Sequence, residues 1–297
     1  MNHIKDQIRC GAAYRLGLTG KGIGVAVLDT GIFLHRDFDS RVTGFADMVN
    51  GKNFAYDDCG HGTHICGIIG GSGRMSGGRY SGIAPGCDLV MVKVLDRKGN
   101  GYSSDVLAGI TWILERKEKL GIRILNISVG ACSKRGMSEN SALVKGVNRA
   151  WDAGLVVVVA AGNNGPRTMS ITTPGISRKV ITVGCSDDDR EVLVGGNRMV
   201  DYSGRGPTAA CICKPDLVAP GCSVVSCAGR ADKYTIKSGT SMSTPIVSGA
   251  TALLLERYPD MTNKDVKLKL RESCTDIGLP RNQQGWGLLD VERLVSK

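Results

Sequence analysis

Gly22-Ile23-Gly24-Val25-Ala26-Val27-Leu28-Asp29-Thr30-Gly31 is the stretch on which the reading of the fold turns. Residues 22–28 carry no charged side chain and read as a buried strand, closed by the turn residues Asp29, Thr30 and Gly31. A strand with one solvated face alternates apolar and polar positions. This one does not, so both faces need cover, as in a parallel sheet. The pattern recurs at 89–95, 122–129, 155–160 and 180–184. Helical stretches lie between. Ser103 or Ser104 caps one in which Val106, Leu107, Ile110, Ile113 and Leu114 recur at helical spacing, and Gly121 stops it. An amphipathic segment covers 141–152, and a nearly all-apolar helix covers 241–257 before Pro259. A short helix runs from a Thr262 cap toward Ser273. This alternation predicts an α/β fold of three layers, a mostly parallel central sheet flanked by helices. No linker or repeat interrupts it, so 1–297 reads as one domain, with 1–20 a short N-terminal segment. Sites in such sheets gather at the carboxyl ends of strands, and Asp29, Ser128 and residues 161–163 fall just past such ends.

Composition narrows the function classes. The formal charge is +10, but the basic residues are dispersed, and the densest run, 115–119, alternates sign as a solvated helix face does. No recognition motif accompanies the charge, so solubility is favoured over nucleic-acid binding. No stretch approaches the ~18 apolar residues of a membrane span. Residues 1–20 contain Lys5, Asp6 and Arg9 and lack the apolar core of an export signal. Eleven cysteines, an odd number at scattered spacings, resemble neither a disulfide framework nor a zinc site. Free thiols without an export signal predict a reducing compartment, the cytoplasm. Glycine, at 41 residues, well exceeds its average share of about 7% and points to many tight turns and close backbone approaches.

Three glycine-bearing turns carry the chemistry. Asp29 lies in Val27-Leu28-Asp29-Thr30-Gly31, His61 in Gly60-His61-Gly62-Thr63-His64, and Ser241 in Gly239-Thr240-Ser241-Met242-Ser243-Thr244-Pro245. A hydroxyl, an imidazole to take its proton and a carboxylate to orient the imidazole are what nucleophilic acyl transfer requires. Alone, Asp29 is an ordinary turn former, His61 a loop histidine and Ser241 an N-cap; their joint occurrence favours the chemical reading. His64 reads as a structural histidine. A serine at a helix start sits at the positive end of the macrodipole with its own N–H free, as a nascent oxyanion needs.

In their order, with 32 residues from Asp29 to His61 and 180 from His61 to Ser241, these segments resemble the signatures of the subtilisin-like serine peptidases, the subtilases of peptidase family S8. In character the chain is similar to intracellular bacterial members without a signal peptide. The resemblance implies a serine endopeptidase with Asp29, His61 and Ser241 as catalytic triad, and Asn163, in Ala160-Ala161-Gly162-Asn163-Asn164-Gly165, as second oxyanion donor. It implies a peptide or protein substrate bound as an extended strand between Gly99-Asn100-Gly101 and Ser128-Val129-Gly130. Gly162, Asn164 and Thr172 would form the primary pocket. No acid stands at these positions, which predicts uncharged, apolar P1 residues. Gly82 to Pro85, Tyr202 to Thr208 and Lys214 to Gly221 also look like family segments, the last two as framework. A dedicated processing peptidase and a non-cutting peptide binder are the competing readings.

The chain departs from the family pattern in three places. Family-like sequence begins almost at Met1, which leaves no recognisable prodomain. The stretch after the His61 helix, where many relatives hold calcium, is Gly71 to Arg79 here, with two arginines and no carboxylate. No metal site and no required cofactor are therefore expected, with calcium possible only weakly through Asp216; Asp187-Asp188-Asp189 reads as a solvated loop. Cys59 and Cys66, flanking His61, read first as buried small hydrophobes and alternatively as thiols near the active site.

Overall fold

The computed structural model describes residues 1–130 and 139–296. In chain order the strands are β1 (Gly24–Asp29), β2 (Val42–Asp47), β3 (Asp88–Lys93), β4 (Ile122–Ile127), β5 (Val156–Ala160), β6 (Ile181–Cys185), β7 (Val192–Val194), β8 (Asn197–Met199), β9 (Leu217–Ala219), β10 (Val224–Cys227) and β11 (Tyr234–Lys237). The helices are α1 (Asn2–Gln7), α2 (Gly11–Arg15), α3 (His61–Gly70), α4 (Ser103–Arg116), α5 (Ala142–Asp152), α6 (Thr240–Arg257), α7 (Asn263–Ser273), α8 (Arg281–Gln284) and α9 (Val291–Val295).

Seven strands form one sheet in the order β2-β3-β1-β4-β5-β6-β9, with every neighbouring pair parallel. From β1 the chain passes to the edge strand β2 and returns to β3 beside β1, and then it builds outward on the other side from β4 onward. Connections after β1 and β4 therefore diverge, opening a crevice at the carboxyl ends of these two strands. Both layers of helices can be read from contacts. Gly109 of α4 lies over Leu28 and Val92, whereas Gly62 of α3 lies over Met91, the residue before Val92 on β3. Successive strand side chains point to opposite faces, so α3 and α4 cover opposite faces. β1 and β5 are buried along their whole length, as the apolar runs Gly24 to Leu28 and Val156 to Ala160 require; Asp29 closes β1 as a buried carboxylate. Almost every residue of α6 is buried too, and it carries apolar and small side chains on every face because α3 and the sheet enclose it. No helix among the described residues is long and apolar enough to cross a membrane.

The structure revises several sequence expectations. Helix α4 begins at Ser103 itself, with Tyr102 as the extended residue before it, and ends at Arg116, well short of Gly121. β2 and β9 and the hairpins β7–β8 and β10–β11 carry no long apolar run, and periodicity passed over them. The N-terminal segment is docked against the body. Ile4, Ile8, Cys10 and Ala13 are buried, Arg9 pairs with Asp290, and Glu256 Oε2 accepts the Thr19 and Gly20 amides at 2.6 Å each.

Candidate active site

Asp29 ends β1 fully buried, and His61 opens α3 directly above it. His61 Nδ1 lies 2.8 Å from Asp29 Oδ1 and 3.0 Å from Oδ2. Asp29 Oδ1 also accepts the Thr30 amide at 2.8 Å, which fixes the carboxylate. The two segments approach so closely that a Cβ on Gly62 would stand 2.2 Å from the Gly31 carbonyl oxygen. Burial alone would drive the His61 pKa down, but the charge and hydrogen bond of Asp29 outweigh it and hold the pKa above its ordinary value of 6.5. Asp57, which sequence reasoning passed over, brackets this pair. Its Oδ1 accepts from Thr30 Oγ1 at 2.9 Å and Gly60 N at 2.7 Å, and its Oδ2 from Thr63 N at 2.9 Å and Thr63 Oγ1 at 2.5 Å. Its one sequence signal was an acid just ahead of a helix start, too common to single out.

His64, one turn along α3, is fully buried and donates from Nε2 to the carbonyls of Val224 and Thr235 at 3.1 and 3.2 Å. Burial, then repulsion from Lys237 and His61, pushes its pKa down to about 3. The unfolded chain binds a proton here near pH 6.5 and the folded chain does not. Stability is therefore undiminished above 6.5 and is lost as pH falls below it, by up to a few kcal/mol. Urea midpoints measured between pH 7 and 4 should show this fall, flattened in His64→Gln; equal slopes in both proteins would remove the assignment.

Ser241 stands in the first turn of α6, after Gly239 at φ 139°. Its Oγ donates to the Ser128 carbonyl at 2.7 Å, and no hydrogen bond joins it to His61 among the described residues. Ser128 is held in turn: its Oγ accepts Asn126 Nδ2 at 2.9 Å, and Asn126 Oδ1 accepts Ser248 Oγ of α6 at 2.8 Å. Asn163 follows the end of β5. Its Oδ1 accepts both the amide and the hydroxyl of Thr240 at 3.0 Å, which ties the side chain to the residue before Ser241. With its oxygen engaged, the Asn163 side chain keeps its NH₂ as a donor. His61, Asn163, Asn164 and Ser241 line one cleft of about 690 Å³.

The strand-binding candidates fall beside this cleft. Gly99, Asn100, Gly101, Val129 and Gly130 share a second cavity of about 220 Å³. Thr172 lines neither; it is buried, wedged between two glycines. A Cβ on Gly130 would lie 2.3 Å from Thr172 Oγ1, and one on Gly162, at φ +92°, would lie 2.4 Å from its Cγ2. Of the two thiols flanking His61, Cys66 is buried as expected, whereas Cys59 is exposed and lines a neighbouring cavity with Gly60 and Lys237. Only the position of Cys59 contradicts its reading as a buried hydrophobe.

Comparison with known proteins decides the family. The Subtilase family model matches residues 20–287. Serine protease AprX of Bacillus subtilis (strain 168) is 42% identical over 99% of this chain and 70% of the relative. Subtilisin BL of Lederbergia lenta is 34% identical over 97% of this chain and 96% of the relative. The chain belongs to the subtilase family. Among solved structures, Sphericase superposes on this subtilase with a TM-score of 0.79 at 31% identity, covering 92% of this chain and 93% of the other. A cold adapted subtilisin-like serine proteinase gives 0.75 at 29%, covering 92% and 90%. The subtilase is thus a serine endopeptidase, a hydrolase of peptide bonds.

Its acidic residues are used differently from the sequence expectation. Asp216 Oδ2 receives Lys214 Nζ at 2.5 Å and the Thr182 amide at 2.7 Å, and Oδ1 faces Lys267 at 3.6 Å, so this carboxylate is neutralised by lysines. Residues 187–189 are not a solvated loop: Asp188 is buried and accepts the Ser203 amide, Asp187 accepts the Gly221 amide, and only Asp189 is exposed. Beside the stretch after α3, Arg41 donates to the carbonyls of Gly70 at 2.5 Å and Asp37 at 2.6 Å. A guanidinium thereby gathers backbone oxygens of the kind a hard cation would otherwise collect.

Proposed function

We propose that this subtilase cleaves peptide bonds with Ser241 as nucleophile, His61 as general base and acid, Asp29 as the group orienting His61, and Asn163 as oxyanion donor. The observation that carries the reading is the Asp29–His61 Nδ1 hydrogen bond, set beside a cleft that Ser241 and Asn163 also line. With Nδ1–H donating to Asp29, Nε2 is left to accept a proton. Ser241 Oγ attacks the carbonyl carbon and its proton passes to Nε2. The oxyanion is met by the Asn163 amide and the Ser241 N–H at the start of α6. His61 then protonates the departing amine, and water repeats the sequence on the acyl-enzyme.

The resting Ser241 rotamer gives substrate a part in this. A strand laid along residues 128–130 offers its own N–H to the Ser128 carbonyl, which now accepts the Ser241 hydroxyl. Loss of that acceptor frees the hydroxyl to turn toward His61, consistent with catalytic hydrogen bonds that tighten only when substrate is bound. The substrate lies between 99–101 and 128–130, and the P1 side chain is received near Gly162 and Asn164, with Thr172 behind the glycines. These walls are uncharged, so a peptide-library profile should favour uncharged, apolar P1 residues, and strict cleavage after Arg or Lys would overturn that preference. Casein degradation is the expected sign of broad rather than dedicated cleavage. Ten free cysteines among the described residues support a reducing compartment such as the cytoplasm.

Asn163→Leu tests the oxyanion assignment. It should lower kcat by about 10²–10³ with KM little changed, a magnitude known from a subtilisin rather than derived from this geometry. A loss appearing in KM alone would assign Asn163 to ground-state binding.

A further inference from the structure

The ends of β6 and β9, where Cys185 pairs with Ala219, bring together groups that the peptidase reading leaves unused. The ligand atoms of buried Cys185, half-buried Cys222 and Asp187 lie within 4.8 Å of one another. Tyr202 places its hydroxyl 3.2 Å from Cys185 Sγ and 3.1 Å from Cys222 Sγ. Asp187 Oδ1 is held by the amides of Gly221 at 2.7 Å and Cys222 at 3.1 Å, as outer hydrogen bonds hold a metal-binding carboxylate. Ser243 Oγ is buried with no partner among the described residues. A Cβ on Gly221 would meet it at 2.4 Å and Cys185 Sγ at 2.8 Å, so the unpaired hydroxyl adjoins the same cluster. In the cluster His35, Asp37 and Cys227 the imidazole lone pair is itself engaged, since His35 Nδ1 accepts the Asp37 amide at 3.1 Å. In the Cys185 cluster the bond between ligands runs from the Cys185 thiol to Asp187 Oδ1 at 3.1 Å, and ionisation of that thiol releases it.

We propose that Cys185, Cys222 and Asp187 form a binding site for a thiophilic divalent cation of the zinc class. Two sulfurs and a carboxylate are three of the four ligands that such an ion takes, and Tyr202 or water can complete the set. Hard cations prefer all-oxygen sites and are not suited to it. On binding, two S–H bonds ionise, two sulfur–metal bonds form and two protons pass to solvent. The site adjoins the segment that presents Ser241, because Gly221 O accepts the amide of Gly239, two residues before it, at 3.0 Å. The proposal does not depend on the catalytic assignments.

The full chain carrying Ser241→Ala, which cannot digest itself if Ser241 is the nucleophile, is titrated with cadmium under a non-thiol reductant. The readouts are thiolate-to-cadmium charge-transfer absorbance and competition by zinc. Cys185→Ser with Cys222→Ser should lose one equivalent, and Asp187→Asn, which removes a ligand, should weaken it by at least the ~10–100-fold that loss of an outer-shell partner costs. Cys211→Ser with Cys213→Ser, an exposed pair, should retain it. The single Cys222→Ser change, at a half-buried position, serves if the double variant does not fold, and should also weaken binding at least tenfold. Full retention of the equivalent in the Cys185 and Cys222 variants, or its loss only from the Cys211/Cys213 protein, overturns the site.

Discussion

Ser241→Ala should lower kcat by about six orders of magnitude, a figure established for a subtilisin serine rather than derived from this geometry. It should also abolish labelling by a fluorophosphonate probe. Among the described residues the hydroxyl it removes makes one hydrogen bond, to the Ser128 carbonyl, and α6 begins one residue earlier, so the helix does not depend on this side chain. Thermal unfolding of the variant should therefore stay close to that of the parent. This separates loss of the nucleophile from loss of the fold. Labelling that persists in the variant would place the nucleophile elsewhere, and absence of labelling in both proteins would favour a peptide binder over a peptidase.

For Asp29→Asn the expected loss in kcat is about 10⁴-fold, together with a displaced pH profile. The amide keeps the shape of the carboxylate but can donate to His61 Nδ1, leaving the proton on Nε2, where it blocks acceptance from Ser241. The pH shift has a definite sign. Burial depresses the His61 pKa, and Asp29, by charge and by hydrogen bond, raises it above 6.5. In the parent, kcat/KM should fall as pH drops through a value above 6.5, because only the neutral imidazole is a base. Without the carboxylate, burial and the nearby Lys237 are left to dominate, and the acid limb of the residual activity should move below 6.5. An unmoved limb, or a loss under tenfold, would show that Asp29 does not govern His61.

How much of the fold is legible in the amino-acid sequence depends on the kind of signal each element carries. β5 and the body of β1 were legible because both faces of each are covered, so apolar residues run without interruption. α6 was legible because its buried length carries only apolar and small residues before Glu256. β2, which is mostly only half-buried, and β9, with its three residues, carry no such run, and pairing with the sheet makes them strands. The acid run misled for a related reason. In sequence Asp187 and Asp188 look like any surface acids, and the amides of Gly221 and Ser203, 34 and 15 residues away, are what hold the first half-buried and the second inside. Asp57 was missed similarly, since a capping acid and a bracket between two loops have the same sequence appearance.

The order and surroundings of Asp29, His61, Asn163 and Ser241 are properties of the chain alone, since close backbone turns and a helix start demand particular residue types locally. Tertiary packing decided the raised pKa of His61, the burial of His64, the resting direction of the Ser241 hydroxyl and the gathering of two thiols about Asp187. Each of these depends on distances between groups remote along the chain, and on the removal of water around them, which no local pattern encodes.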